Sequence, residues 1–215
     1  MLRRLFGIIS VFPEGLKDRQ CHISVLLCYD MKKVCCQAGI KVGEMLSSHK
    51  DNIILVGMMG TGKSTVGAHL ADKLGYRLID LDQQIVQQAG CSIPEIFAEK
   101  GEAYFRDLES DVLDRVLQEG GIVLATGGGA VLRESNCKCM LGHGQVVALA
   151  ATVEEILSRV GEDKNRPLLA GGAKQRIETL LDERKHAYLF AHHHVNTTGK
   201  SVEQVSDEIL MLCRG

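Results

Sequence analysis

The stretch that decides the fold is residues 52–65, Asn-Ile-Ile-Leu-Val-Gly-Met-Met-Gly-Thr-Gly-Lys-Ser-Thr. A short apolar run leads into the pattern G-x-x-x-x-G-K-S, and a helix-like stretch over residues 66–74 follows it. Strand, glycine-rich loop and helix in this order are typical of a phosphate-binding P-loop. Glycines in the loop let successive backbone N–H groups turn toward phosphate oxygens. The pattern therefore predicts a nucleoside triphosphate site.

The individual residues of this loop have separate expected tasks. Lys63 would bring a positive charge to the β- and γ-phosphates, and the Ser64 hydroxyl would be a ligand of Mg²⁺. The positive N-terminal end of the following helix would add to the attraction. The residues predicted to bind the nucleotide here are Gly60, Thr61, Gly62, Lys63, Ser64 and Thr65.

From residue 52 onward, strand-like and helix-like segments alternate. The predicted strands are 53–56, 77–80, 122–125, 146–150 and a short one near 194–197; the predicted helices are 64–74, 93–117, 132–141, 153–160, 175–189 and 202–213. Such alternation predicts an α/β fold of three layers, in which helices cover both faces of a five-stranded parallel sheet. Ligands of such sheets bind where the carboxyl ends of the strands meet.

Three polar clusters follow predicted strands or lie near them. Asp80 and Asp82 end the second strand, where carboxylates could hold Mg²⁺ through water or accept a proton from a hydroxyl; a helix N-cap is the alternative for an aspartate here. Arg106 and Glu109 are spaced to pair on one helix face, although such pairs are often merely solvated. Three consecutive glycines in 126–129, Thr-Gly-Gly-Gly, favour a close approach of ligand to backbone over a plain turn.

Two further arginines lie toward the C-terminus. Arg166, in Asn-Arg-Pro-Leu-Leu at 165–169, falls between two predicted helices with glycines nearby, so the segment is interpreted as a mobile helical lid that carries an arginine over the phosphates. Arg184 lies on a helix that could return it to the pocket.

These motifs, taken in order, resemble those of shikimate kinase, a family of P-loop kinases related in fold to the nucleoside monophosphate kinases. The resemblance covers residues 52–213 and includes the loop at 57–65, D-x-D at 80–82, FR at 105–106, TGGG at 126–129, RPLL at 166–169 and ER at 183–184. One departure is Arg184-Lys185-His186-Ala187-Tyr188, where the family often has a proline two residues after the arginine.

The resemblance implies the roles of the site residues. It implies that Asp82 contacts the hydroxyls of shikimate and acts as the base or lies near it. It also implies that Arg106 and Arg184 bind the carboxylate of shikimate. Gly128 would contact the substrate through its backbone. Arg166 would contact ATP from the lid. Ser64 would be a direct ligand of Mg²⁺, and Asp80 would hold the ion through water. The implied reaction is ATP-dependent phosphorylation of the 3-hydroxyl of shikimate, with Lys63, Mg²⁺ and Arg166 stabilising the transferred phosphoryl group.

Composition limits the partners. A net charge of −2 and the absence of tryptophan argue against a nucleic-acid surface, and no apolar run approaches the length of about 20 residues needed to cross a bilayer. We expect small-molecule partners, a monomer and a cytoplasmic location. Residues 1–50 lie outside the resemblance and are interpreted as an extension without a catalytic part, and 51–215 as the kinase domain. Met45 as the natural start and a plastid transit peptide are alternatives for the extension.

Two other functions stay open from the sequence. One is another small-molecule kinase of the same fold, acting on gluconate or a nucleoside monophosphate. The TGGG motif and two arginines suited to a carboxylate count against it. The other is a catalytically silent binding protein of the same fold, which the presence of Lys63, Ser64 and Asp82 disfavours.

Overall fold

A single parallel sheet organises the residues that the computed structural model of the protein describes, 52–160 and 173–214. Its strands are β1 Asn52–Gly57, β2 Arg77–Asp80, β3 Ile122–Ala125, β4 Gly144–Ala150 and β5 His193–Asn196. They lie in the order β2-β3-β1-β4-β5, and every neighbouring pair is parallel. The predicted five-stranded parallel sheet is confirmed.

Helices connect the strands. They are α1 Lys63–Leu74, α2 Leu81–Ala89, α3 Ile93–Leu117, α4 Glu134–His143, α5 Val153–Val160, α6 Ala173–Arg184 and α7 Val202–Arg214. A 3₁₀ turn at Ala130–Leu132 precedes α4. The predicted helix at 132–141 therefore begins two residues later, because the chain first makes this tighter turn.

Alternate side chains of β1 explain the three layers. Ile54 and Val56 lie in a core cluster with residues of α2, α3 and α4, whereas Ile53 and Leu55 lie in a second cluster with residues of α1 and α7. Because successive strand residues point to opposite faces, one apolar strand supplies both cores. This burial on both faces fixes β1 at the centre of the sheet. The loop that follows β1 then lies where the carboxyl ends of the strands meet.

Two helices differ from the sequence prediction. Helix α2 was not predicted, although it is bounded by the side chain of Asp80 at its N-terminus and by Gly90, with φ of 70°, at its C-terminus. The helix predicted over 175–189 ends at Arg184, and residues 185–190 form turns instead. Tertiary contacts of the residues after Arg184, described below, override the local helix preference.

Helix α3 contains a kink that positions its second half. Gly101 has φ of 79° and ψ of 172°, outside the helical region and accessible mainly to glycine. Beyond it, Phe105 is buried against Phe97, with ring centroids 4.6 Å apart. The neighbouring Arg106 thereby lies at the edge of the core.

In residues 52–160 and 173–214, no helix is long and apolar enough to cross a membrane. The cysteines in these ranges, Cys91, Cys137, Cys139 and Cys213, are free thiols. The predicted lid, including Arg166, and the N-terminal extension lie outside the described residues.

Candidate active site

A cleft of about 360 Å³ opens at the carboxyl edge of the sheet. Strand β1 is flanked there by β3 and β4, so the chain winds in opposite directions on its two sides. A crevice at such a switch point is the usual ligand site of open parallel sheets. The cleft is lined by Met59, Gly60, Gly62, Lys63, Ser64, Thr65, Asp80, Asp82, Thr126, Gly127, Gly128 and Arg159.

The loop after β1 has the compact form that phosphate binding requires. Gly57 has φ of 142°, and a Cβ there would lie 2.4 Å from the carbonyl oxygen of Leu149, so only glycine fits. The Nζ of Lys63 donates to the carbonyl oxygens of Gly57 at 2.8 Å and Met58 at 2.9 Å. The ammonium group therefore lies over the loop, at the wall of the cleft.

Thr61 differs from the other predicted nucleotide ligands. Its side chain is buried, and its hydroxyl donates to the carbonyl oxygen of Met58 at 2.8 Å. The hydroxyl thus stabilises the loop from behind, while Gly60, Gly62, Lys63, Ser64 and Thr65 line the cleft.

The two aspartates share the cleft, but Asp80 precedes α2 as its N-cap and Asp82 lies within the helix. The carboxylate of Asp80 accepts a hydrogen bond from the backbone N–H of Gln83 at 3.2 Å and so caps the helix. The N-cap alternative therefore holds for Asp80, which also lines the cleft. Asp82 lies in the first turn of the helix, against Gly127. A carboxylate in the same cleft as a P-loop can accept a proton from a nearby hydroxyl.

Arg106 and Glu109 form a largely buried pair rather than a solvated one. Their Nη1 and Oε2 atoms are 2.8 Å apart, and the exposed fractions of the side chains are 16% and 1%. Burial raises the pKa of Glu109, and the guanidinium of Arg106 partly offsets this shift. Glu102 adds a second carboxylate at 3.4 Å from Nε of Arg106. The guanidinium is therefore held in one orientation, with Nη1 and Nη2 against Gly129.

Arg184 reaches the same glycine loop from the C-terminal half of the chain. The carbonyl oxygen of Gly128 accepts hydrogen bonds from Nη1 of Arg184 at 3.4 Å and from the hydroxyl of Tyr188 at 3.0 Å. Burial raises the pKa of Tyr188, and the nearby guanidinium of Arg184 partly offsets this shift. The structure thus brings Asp82, Arg106 and Arg184 around residues 127–129, while Arg166 lies outside the described residues.

Arg159 of α5 lines the cleft but was not predicted. Its Nη1 donates to the carbonyl oxygen of Gly60 at 3.3 Å and to Oγ1 of Thr197 at 3.1 Å, and its Nη2 pairs with Glu155 at 2.8 Å. In the sequence it is one of three arginines four residues after a glutamate. Only the fold shows that this helix ends beside the P-loop.

This arrangement defines the class of protein. A P-loop on the central strand of a parallel sheet, with carboxylates and arginines converging on the same edge, is the site of a P-loop kinase that acts on a small molecule.

Comparisons with known proteins identify the family. A shikimate kinase family model matches residues 59–214. The chain is 49% identical to a shikimate kinase of Geobacter metallireducens over 160 residues, which cover 74% of this chain and 89% of that protein. It is 45% identical to one of Persephonella marina over 159 residues, 74% of this chain and 96% of that protein. A solved shikimate kinase of Acinetobacter baumannii in complex with shikimate has a TM-score of 0.71 and 39% identity, covering 79% of this chain and 95% of the other. The chain belongs to the shikimate kinase family, as its motifs predicted, and it is a phosphotransferase.

Proposed function

We propose that this enzyme transfers the γ-phosphoryl group of ATP to the 3-hydroxyl of shikimate, giving shikimate 3-phosphate and ADP. The observation that carries the proposal is the convergence of Asp82, Arg106 and Arg184 on the glycine loop beside Lys63 and Ser64. One cleft then offers phosphate ligands, a proton acceptor and two cations for a carboxylate.

The phosphate half of the cleft needs positive charge and N–H donors. The backbone of the P-loop and the positive end of α1 supply donors, and Lys63 supplies a charge. Arg166 would add a second charge from the lid, as the family resemblance implies. Together these groups would stabilise the charge that develops on the transferred phosphoryl group.

The donors at the phosphate end fit Mg²⁺. The Ser64 hydroxyl and the carboxylate of Asp80 both line the cleft, and Mg²⁺ prefers hard oxygen ligands. In the described part of the chain, no three His, Cys, Asp or Glu side chains form a metal cluster. In nucleotide enzymes, phosphates and water supply most ligands of Mg²⁺. When bound, the ion would neutralise phosphate charge, with Ser64 as a ligand and Asp80 behind it.

The acceptor half of the cleft would orient a hydroxylated carboxylic acid. Arg106 and Arg184 would bind the carboxylate of shikimate, because a guanidinium fork matches a carboxylate with two parallel hydrogen bonds. Gly128 would contact the ring substituents through its backbone. Asp82 would then accept the proton of the attacking 3-hydroxyl, or orient that hydroxyl toward the phosphate.

The wider setting follows from the reaction. Shikimate 3-phosphate formation is a step toward chorismate and the aromatic amino acids. The small-molecule substrates need neither nucleic acid nor a membrane, and we propose that the enzyme is a monomer in the cytoplasm, with a plastid location as the alternative if residues 1–50 are a transit peptide.

A substrate panel tests the proposal. Release of ADP is measured with ATP and, separately, shikimate, gluconate or AMP, and the product is identified by phosphorus NMR. We expect rapid turnover with shikimate and little with the other acceptors or with none. Equal turnover with all three acceptors would contradict the assignment of the substrate.

A further inference from the structure

We propose that Gly127 and Gly129 are positioning residues. Because neither has a side chain, they leave the space in which the carboxylate of Asp82 and the guanidinium of Arg106 lie. The inference rests on the proposed function, because it concerns how the acceptor half of the cleft is built. It assigns a separate task to two glycines on either side of Gly128.

The glycine loop has no conformational need for glycine at these two positions. Gly129 has φ of −101° and ψ of −8°, a conformation open to any residue, and the φ of Gly127 lies outside the left-handed region that favours glycine. Loss of chain entropy makes glycine a poor choice for a fixed loop unless space requires it. The reason must therefore be a close neighbour.

At each of the two glycines, the three atoms nearest to an added Cβ belong to one acceptor-site side chain. A Cβ at Gly127 would lie 2.6 Å from Oδ1 of Asp82. A Cβ at Gly129 would lie 2.7 Å from both Nη1 and Nη2 of Arg106 and 3.0 Å from Cζ, so the two terminal nitrogens of the guanidinium occupy the space that a side chain would need. At Gly128, by contrast, the shortest approach is an ordinary 3.6 Å, to the carbonyl oxygen of Gly57.

The clashing atoms are the far ends of side chains and not backbone. An added methyl group can therefore be accommodated by moving Asp82 or Arg106, and the loop itself need not shift. For Arg106 such a movement would disturb its 2.8 Å pairing with the buried Glu109. Binding and catalysis are sensitive to displacements of about 1 Å. The fold should thus survive an alanine at either position while the acceptor site does not.

Two alanine variants test the proposal by separate readouts. Gly129→Ala should raise the KM and Kd for shikimate by about tenfold, because one charge-assisted hydrogen bond to the substrate is lost. The change in kcat should be smaller. Gly127→Ala should lower kcat by about tenfold or more, since Asp82 acts in the chemical step, with a smaller change in KM. Gly142→Ala in α4 is the matched control, because a Cβ there meets nothing within 4 Å; its kinetics should equal those of the wild type.

A double-mutant cycle shows whether Gly129 acts through Arg106. In an Arg106→Ala background the added methyl group meets no guanidinium, so Gly129→Ala should cause no further change in shikimate Kd, measured by calorimetry. An equal loss in both backgrounds would show a distorted loop and overturn the proposal. If Gly129→Ala fails to fold and Arg106→Ala folds, the double variant must fold as Arg106→Ala does, and its failure would also overturn the proposal.

The proposed function can fail independently of this inference. If the wild-type enzyme did not phosphorylate shikimate, the proposed function would be wrong, but the positioning role of the two glycines would still be open to test. A crystal structure of Gly129→Ala would still report the position of Arg106 without any activity. An unmoved guanidinium in that structure would overturn the positioning role, whatever the substrate.

Discussion

Asp82 and Arg106 lie against two glycines of one loop, yet their charges suit different tasks. The carboxylate of Asp82 faces the cleft with the P-loop, where a proton must leave the attacking hydroxyl. The guanidinium of Arg106 is fixed by Glu109 and is suited to bind a carboxylate. Substitutions at the two positions should therefore change different kinetic constants.

Asp82→Asn keeps the size of the side chain and removes its negative charge. If the carboxylate deprotonates or orients the acceptor hydroxyl, kcat should fall by about 10²-fold or more, while the KM for ATP changes little because the P-loop is intact. Steady-state kinetics with both substrates measure this. An unchanged kcat would exclude Asp82 as the base.

Arg106→Ala removes a carboxylate ligand and should raise the KM for shikimate by about tenfold or more, which corresponds to a charge-assisted interaction of about 1.5–3 kcal/mol. The KM for ATP should change little. Arg115→Ala, an exposed arginine on the same helix, is the matched control. Loss of ATP binding with unchanged shikimate affinity would mean that the acceptor site is misplaced.

Glu109 should give the stability a characteristic dependence on pH. Burial raises its pKa above the ordinary value of 4.5, so the folded protein holds this proton more tightly than the unfolded chain does. The carboxyl therefore favours folding most below pH 4.5, and this contribution is lost as the pH rises through the raised pKa.

Glu109→Gln removes the titrating carboxyl group and tests the direction of its pKa shift. The free energy of unfolding of the wild type minus that of the variant should fall as the pH rises from about 4, and should level off above the raised pKa. Urea denaturation at several pH values measures it, with Glu102→Gln, which removes an exposed carboxylate beside the same guanidinium, as control. A difference that increased with pH would contradict the direction of the shift.

Residues that belong to short motifs could be identified from the sequence, and those defined only by packing could not. Lys63 and Ser64 belong to a local pattern with a known mechanism, and Asp82 was located because it follows a strand. Arg159 has no such signal, because its neighbours Gly60 and Thr197 are 99 and 38 residues away. The task of Thr61 was also hidden, because only the folded loop shows its hydroxyl turned inward.

At the scale of elements, the turns after α6 attach the C-terminal half to the glycine loop. Arg184 ends α6, and Tyr188 follows within the turns, so both reach the carbonyl oxygen of Gly128. A helix continued to residue 189 would turn successive side chains by about 100° each and place residues 184 and 188 on one face one turn apart. The turns bring both onto a single carbonyl instead.

Tyr188→Phe deletes one of these two contacts. A net loss of about 0.5–1.5 kcal/mol should raise the KM for shikimate by roughly two- to tenfold, since the carbonyl oxygen of Gly128 loses one of its two donors. The KM for ATP should stay unchanged. Tyr104→Phe, at an exposed tyrosine, serves as control. A lower melting temperature with an unaltered shikimate KM would mean that Tyr188 only stabilises the fold.

Element type was predictable wherever an apolar run dominated, as in β1, β3 and β4. The missed helix α2 is short and contains four glutamines among nine residues, so its apolar signal is weak, although Asp80 and Gly90 mark its ends. The end of α6 was unpredictable for another reason. The contact that ends it joins residues 60 positions apart, Tyr188 and Gly128.

At the scale of the whole molecule, the position of β1 unites both halves of the site. Its central place in the order β2-β3-β1-β4-β5 puts the P-loop between the acceptor residues that follow β2 and β3 and Arg159, which follows β4. Both core clusters include residues of this strand, so the geometry of the cleft depends on the sheet as a unit. All five strands and the described site residues lie between Asn52 and Arg214.

Removal of residues 1–44, so that the chain begins at Met45, should therefore leave folding and activity nearly intact. The shortened chain keeps β1, both sheet faces and every predicted site residue, including Arg166. Thermal unfolding and steady-state kinetics of the two lengths, purified in parallel, measure the effect. As a matched comparison, a chain that begins at Val56 removes most of β1 from the centre of the sheet and should not fold. A large loss of kcat or of melting temperature in the Met45 chain would show that the extension is part of the kinase domain.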